Sequence, residues 1–92
     1  MFKLKYIKSY RVANRKIKVK WCEEYIDERY NGVCYPDDNL VKVINFGDKD
    51  LQTTHLLHEM IHSILNVMGE GRKEKFTHAF AELLTQALLT AK

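Results

Sequence analysis

Residues 55–65 read HLLHEMIHSIL, which sets His55, His58, Glu59 and His62 inside one of the most hydrophobic stretches of the chain. This segment constrains the fold strongly, because imidazoles inside a helix need partners for their ring nitrogens. Leu57, Ile61, Ile64, Leu65 and Met68 recur at helical spacing up to Gly69. They predict an amphipathic helix with Asp50 as its N-cap. Within it, His58-Glu59-Met60-Ile61-His62 is an HExxH sequence. Residues four apart on an α-helix are turned by only about 40°, so both imidazoles leave the same side on successive turns. Their nitrogens can then reach one zinc ion at about 2.0–2.1 Å. Glu59, beside the first ligand, can take a proton from a water at the metal without binding the metal itself. With His58 as origin, His62, His55, Asn66 and Glu59 fall near 40°, 60°, 80° and 100° on the helical wheel. Five polar groups thus share one face. The plainer reading is a solvated polar face that happens to contain histidines.

Two helical ligands leave a third to find, since a catalytic zinc takes three protein ligands and keeps one position open. The segment EKFTHAFAELL offers Glu74, His78 and Glu82. It predicts a second helix with Phe76, Phe80, Leu83, Leu84 and Ala87 as its apolar face, widening through Thr77 and Ala81. Glu74 flanks that face, and His78 follows one turn later, so the two can look toward the first helix together. Glu82 lies beyond both and reads as an exposed helix residue. A zinc site combining Cys22 and Cys34 with a histidine has little support, because the cysteines lie twelve apart with no CxxC pair. Buried free thiols are the better reading of both.

The residues before the helices read as strands. Phe2, Leu4 and Tyr6 alternate with lysines, and Ile17, Val19 and Trp21 do so again. SYRVANR between them reads as a turn or short irregular link. CEEYIDERYNG is either a short helix over Glu23–Tyr30 or an irregular loop. Val33–Tyr35 and Leu40–Phe46 are expected to form a hairpin around Pro36-Asp37-Asp38-Asn39. Strands first and helices after predict an α+β domain spanning 1–92, a small twisted antiparallel or mixed sheet packed on two C-terminal helices. Eight of the fifteen Lys and Arg residues fall within positions 3–20, where no acid occurs. Lysines every second residue suggest strands with one face in water, which also discourages edge-to-edge pairing. A contact with nucleic acid is the alternative. No stretch approaches the roughly 18 apolar residues of a membrane span, and MFKLKYIK lacks the apolar run of a signal peptide. An intracellular, cytoplasmic protein is expected.

From Asn31-Gly32 to Leu84, about half the chain, the sequence resembles the small zincin-type metallopeptidases found largely in bacteriophages and mobile elements. The matching pieces are the glycine-containing hairpin, Val41-Lys42-Val43, Thr54 ahead of His58-Glu59-Met60-Ile61-His62, and the helix from Glu74 to Leu84. The resemblance implies a zincin-like fold, a Zn2+ cofactor, a peptide or protein substrate and, for a phage-encoded protein, a bacterial host cytoplasm. In gluzincin-type relatives the glutamate opening the second helix is the third ligand, which corresponds to Glu74. A histidine stands at 78, as in SprT-like proteins that use histidine, so His78 remains the alternative. The expected activity is hydrolysis of a peptide bond with Glu59 as general base. Leu40–Phe46 would be the edge strand to which substrate adds, and Tyr35, His55 or His78 would touch substrate or transition state. A zinc-stabilised regulatory or protein-binding module without catalysis is the competing expectation.

Overall fold

The computed structural model describes residues 7–26 and 30–91. The strand expected over Phe2–Tyr6 lies outside the described residues. Four strands, β1 (Ser9–Val12), β2 (Arg15–Cys22), β3 (Gly32–Tyr35) and β4 (Leu40–Ile44), precede two helices, α1 (Lys49–Met68) and α2 (Glu74–Thr90). The fold is α+β, as the order of hydrophobic patterns implied. The sheet is mixed, in the order β1-β2-β4-β3. β1 pairs antiparallel with β2, β2 parallel with β4, and β3 antiparallel with β4.

Part of SYRVANR is therefore strand and not a link. Ser9–Val12 pairs in register with Arg15–Lys18 across a tight turn, in which Ala13 takes φ 55°. The CEEYIDERYNG segment carries an isolated Ile26–Tyr30 bridge in its described part. The hairpin forms, its second arm ending at Ile44 and not at Phe46, with a single 3-10 turn at Pro36–Asp38 closed by Asn39 at φ 50°. Its second arm is not an edge, however. β4 is hydrogen-bonded on both sides, and β3 occupies the edge instead. The reason is that β4 inserts between β2 and β3, burying Val41 and Val43 completely. Such burial is worth about 1.5–3 kcal/mol per side chain.

Alternation then decides which face of the sheet is covered. Ile17, Val19, Cys34, Val41 and Val43 meet Leu56 of α1 in one core. Leu57, Ile61 and Leu65 of α1 meet Ala81 of α2 in another. The helix α1 is thus the middle layer, with the sheet on one side and α2 on the other. Its N-cap is Asp48, whose Oδ1 accepts from the backbone N–H groups of Asp50 (2.9 Å) and Leu51 (3.1 Å), one turn-fraction earlier than the sequence suggested. Gly69, at φ 76°, ends α1 in the left-handed conformation that glycine adopts without a Cβ clash.

The apolar face expected for α2 is displaced. Thr77, Ala81 and Thr85 are its buried residues, and Leu84 and Leu88 pack beside Ala81. Phe76, Phe80 and Leu83 point outward, at 50%, 45% and 65% exposure. Small side chains at i, i+4 and i+8 let α2 approach α1 closely, and a hydroxyl-hydroxyl hydrogen bond from Thr54 to Thr85 (3.0 Å) joins the helices there. Ile64 and Met68 of α1 are likewise exposed.

Candidate metal centre

The packing of α2 through its small residues has a direct consequence for Glu74. Counting back from Ala81 by seven residues returns to nearly the same side of the helix, about 20° away. Glu74 therefore lies over α1 at the first turn of α2, beside His58 and His62. Glu74 Oε1 is 2.6 Å from His58 Nε2 and 3.4 Å from His62 Nε2, and the two Nε2 atoms are 3.0 Å apart. These three ligand atoms lie within 4.8 Å of one another and form a group able to hold a metal ion, the only such group of three among the described residues.

The donor set fits a divalent cation. Ligand atoms around a tetrahedral zinc at 2.0–2.1 Å are roughly 3.3–3.4 Å apart, which matches the 3.4 Å side of this triangle and requires the 2.6 and 3.0 Å sides to open by less than about 1 Å. Two imidazole nitrogens facing each other and a shared carboxylate oxygen are a poor hydrogen-bond arrangement, since the Nε2 atoms compete to donate to one acceptor. A cation at their centre resolves that conflict. Burial lowers the pKa of His62 despite the nearby Glu74 carboxylate, which favours the neutral, metal-binding form. Burial works against the charge of Glu74. Hydrogen bonds from Arg72 and His58 nevertheless hold its carboxyl at about 2.

Glu59 stands next to this group, its side chain 95% shielded at 5% exposure. Its Oε1 has no hydrogen-bond partner among the described residues. Burial, and then the neighbouring Glu74 charge, push its pKa up to about 7. Gly32 on the edge strand makes room for it: a Cβ there would meet Glu59 Cγ at 3.0 Å and Oε2 at 3.1 Å. A buried carboxyl without a partner is expensive as structure. Near pH 7 it is well matched to proton transfer.

A cleft of about 480 Å³ opens onto these groups, lined by Tyr30, Asn31, Gly32, His55, His58, Glu59, Arg72, Glu74 and His78. His55 lines it with a buried Nδ1 that lacks a partner, and burial, followed by the effect of His58, lowers its pKa. His78 sits at the rim. Its ring centroid is 6.2 Å from that of His58, and its Nε2 faces Glu82 Oε1 at 3.4 Å, outside the ligand triangle. Tyr35 is not brought to the site: its ring lies under Lys42 Nζ, at 5.4 Å, on the opposite face of the sheet. Tyr30, and not the expected Tyr35, lines the cleft.

Arg72 was missed altogether. Its Nε donates to Glu74 Oε2 at 3.0 Å, an oxygen that also lies 3.2 Å from His62 Nε2, while Oε1 faces His58. Nothing in the spacing of GEGRKE marks it, because only the turn between the helices carries it to the cleft. Compared with known protein families, curated proteins and solved structures, the chain matches none of them significantly.

Proposed function

We propose that this chain is a zinc-dependent metallopeptidase of zincin type, with His58, His62 and Glu74 as ligands and Glu59 as general base. The observation that carries the reading is the ligand triangle beside a buried, partnerless carboxyl whose pKa lies near 7. When bound, zinc supplies Lewis-acid chemistry, lowering the pKa of water toward about 7 and polarising a carbonyl. The protein's own part is positional. His58 and His62 hold two corners of the site from successive turns of α1, and Glu74 holds the third from α2. Arg72 orients Glu74 through its second oxygen. Glu59 accepts the proton of the attacking water and returns it to the leaving amine, a role its raised pKa suits. Gly32 keeps the backbone of β3 clear of that carboxylate.

An extended peptide would add to the free edge of β3, which runs past Glu59, and not to β4. The free thiols Cys22 and Cys34 suit the reducing cytoplasm proposed for it. Among the described residues no helix is long and apolar enough to cross a membrane. A structural zinc module is the second reading, favoured by ligands that tie α1 to α2. Glu59→Gln separates the two. Zinc content and fold are expected to persist while cleavage in a screened peptide library disappears. Wild-type cleavage by the variant would remove Glu59 from the mechanism, and no cleavage by either protein would favour the module.

A further inference from the structure

The open face of the sheet carries a charge pattern that neither the metal centre nor the fold requires. Lys16, Lys18 and Lys20 of β2 point away from α1, as the alternation with buried Ile17 and Val19 dictates. Arg11 stands directly across from Lys16, and Lys42 directly across from Lys20. Like charges opposite one another on neighbouring strands are destabilising. None of these five side chains has an ion-pair partner among the described residues. Protection against edge pairing does not explain the lysines of β2, because β2 is an inner strand with neighbours on both sides.

Two hollows run along this face. One, of about 560 Å³, is lined by Lys8, Lys16, Lys18 and Lys20. The other, of about 490 Å³, shares Lys20 and adds Lys42, Tyr25 and Tyr35. Tyr25 is exposed, and the Tyr35 ring already carries the Lys42 ammonium over its face. Glu23 and Glu24 also line the second hollow, so the basic track is carried by the lysines of β2 and by Lys42. Alternate residues of a strand are about 6.6–6.8 Å apart, a step comparable to that between successive phosphates of an extended nucleic-acid strand. Arg15 does not join the track, since its guanidinium is held by Asn39 and the Pro36 carbonyl.

We propose that this face binds single-stranded nucleic acid, the lysines following phosphates and Tyr25 and Tyr35 offering ring faces to unstacked bases. A basic groove with accessible aromatic rings suits a single strand, whose base faces are free, better than a duplex, whose faces are stacked. The site lies on the opposite side of the sheet from α1 and is independent of the metal.

The test is fluorescence anisotropy of the full chain with a labelled mixed-sequence DNA strand of about 16 nucleotides. Five cationic contacts, from Arg11, Lys16, Lys18, Lys20 and Lys42, predict a log-log salt slope of about −3.5, hence roughly 100-fold weaker binding at 200 mM than at 50 mM salt. Joint replacement Lys16→Gln, Lys18→Gln and Lys20→Gln should reduce the slope to about −1.4 and weaken binding more than tenfold at low salt. Tyr35→Leu should weaken binding roughly fivefold or more with the slope unchanged. Chelated protein and Glu59→Gln should bind as wild type does, which keeps this result separate from the fate of the peptidase reading. The proposal is overturned if the wild type shows no salt-dependent binding or the triple variant binds equally well. Tighter binding of a duplex of the same sequence would also overturn it, as would capture by phosphatidylserine vesicles without capture of the strand. Circular dichroism of the triple variant guards against misfolding. Should it be unfolded, Lys18→Glu alone must weaken binding or the proposal fails.

Discussion

The two helices break the hydrophobic pattern in opposite senses. Helix α1 buries Gln52, Glu59, His62 and Ser63, whereas α2 exposes Phe76, Phe80 and Leu83. The difference follows from their places in the stack. The middle layer has the sheet on one side and a helix on the other, so even its polar side chains are enclosed. Ser63 illustrates how such groups are satisfied: its hydroxyl meets Tyr10 Oη at 2.7 Å and donates to the Glu59 carbonyl at 3.1 Å. The outer layer needs only one buried side, and close approach selects the smallest residues for it. Enclosure of polar groups on α1 and closeness of α2 together create the candidate site.

The largest expected effect comes from emptying the α1 side. His62→Ala should lose stoichiometric metal by elemental analysis. Wild-type stability should fall on chelation by about 4 kcal/mol where free metal had exceeded Kd by about 1,000-fold, whereas His62→Ala should not respond. An equal response in both proteins would break the link between this face and a metal.

Next comes the buried carboxyl, tested in chelated protein. Its folded-state pKa is raised from 4.5 to about 7. The stabilisation it contributes is therefore fully present below pH 4.5 and lost as pH rises through about 7. Relative to Glu59→Gln, which stays neutral, wild-type protein should lose up to about 3 kcal/mol over that window. Urea titrations at several pH values measure this. A difference independent of pH would mean that Glu59 is not desolvated.

On α2 the inner face should be the sensitive one. Ala81→Leu forces extra volume into the interhelical contact, at an expected cost of about 1–3 kcal/mol, and should weaken metal binding by displacing Glu74. Arg72→Ala should weaken metal binding about 10–100-fold in a chelator competition with little loss of stability. Arg72→Lys should not restore it, because an ammonium does not reproduce the guanidinium fork. The smallest effect belongs to the outer face. Leu83→Gln should change stability by no more than about 0.5 kcal/mol, although the sequence pattern alone would make Leu83 a core residue.

Much of this molecule was legible in its residues. Period-two alternation marked β2 and the hairpin, and the break at Gly69 separated the helices. The four-residue step from His58 to His62 placed two imidazole nitrogens side by side, because helix geometry is local and needs no tertiary information. Glu74 and His78 were both within reach of that reading. The choice between them depended on how α2 is rotated about its axis; the apolar face, which Glu74 flanks, favoured Glu74 but did not fix that rotation. Close helix packing through Thr77, Ala81 and Thr85 set the rotation, bringing Glu74 to the histidines and leaving His78 with Glu82. Strand order was equally out of reach: alternation says which way side chains point, not which strand lies beside which. Only the insertion of β4 made β3 the edge next to Glu59, carried Tyr35 away from the cleft and aligned Lys20 with Lys42. The sequence by itself determined the local periodicities and the paired histidines. Tertiary packing decided the third member of the candidate ligand group, the edge strand and the contact from Arg72, because each depends on elements far apart in the chain coming to rest at a particular distance and rotation.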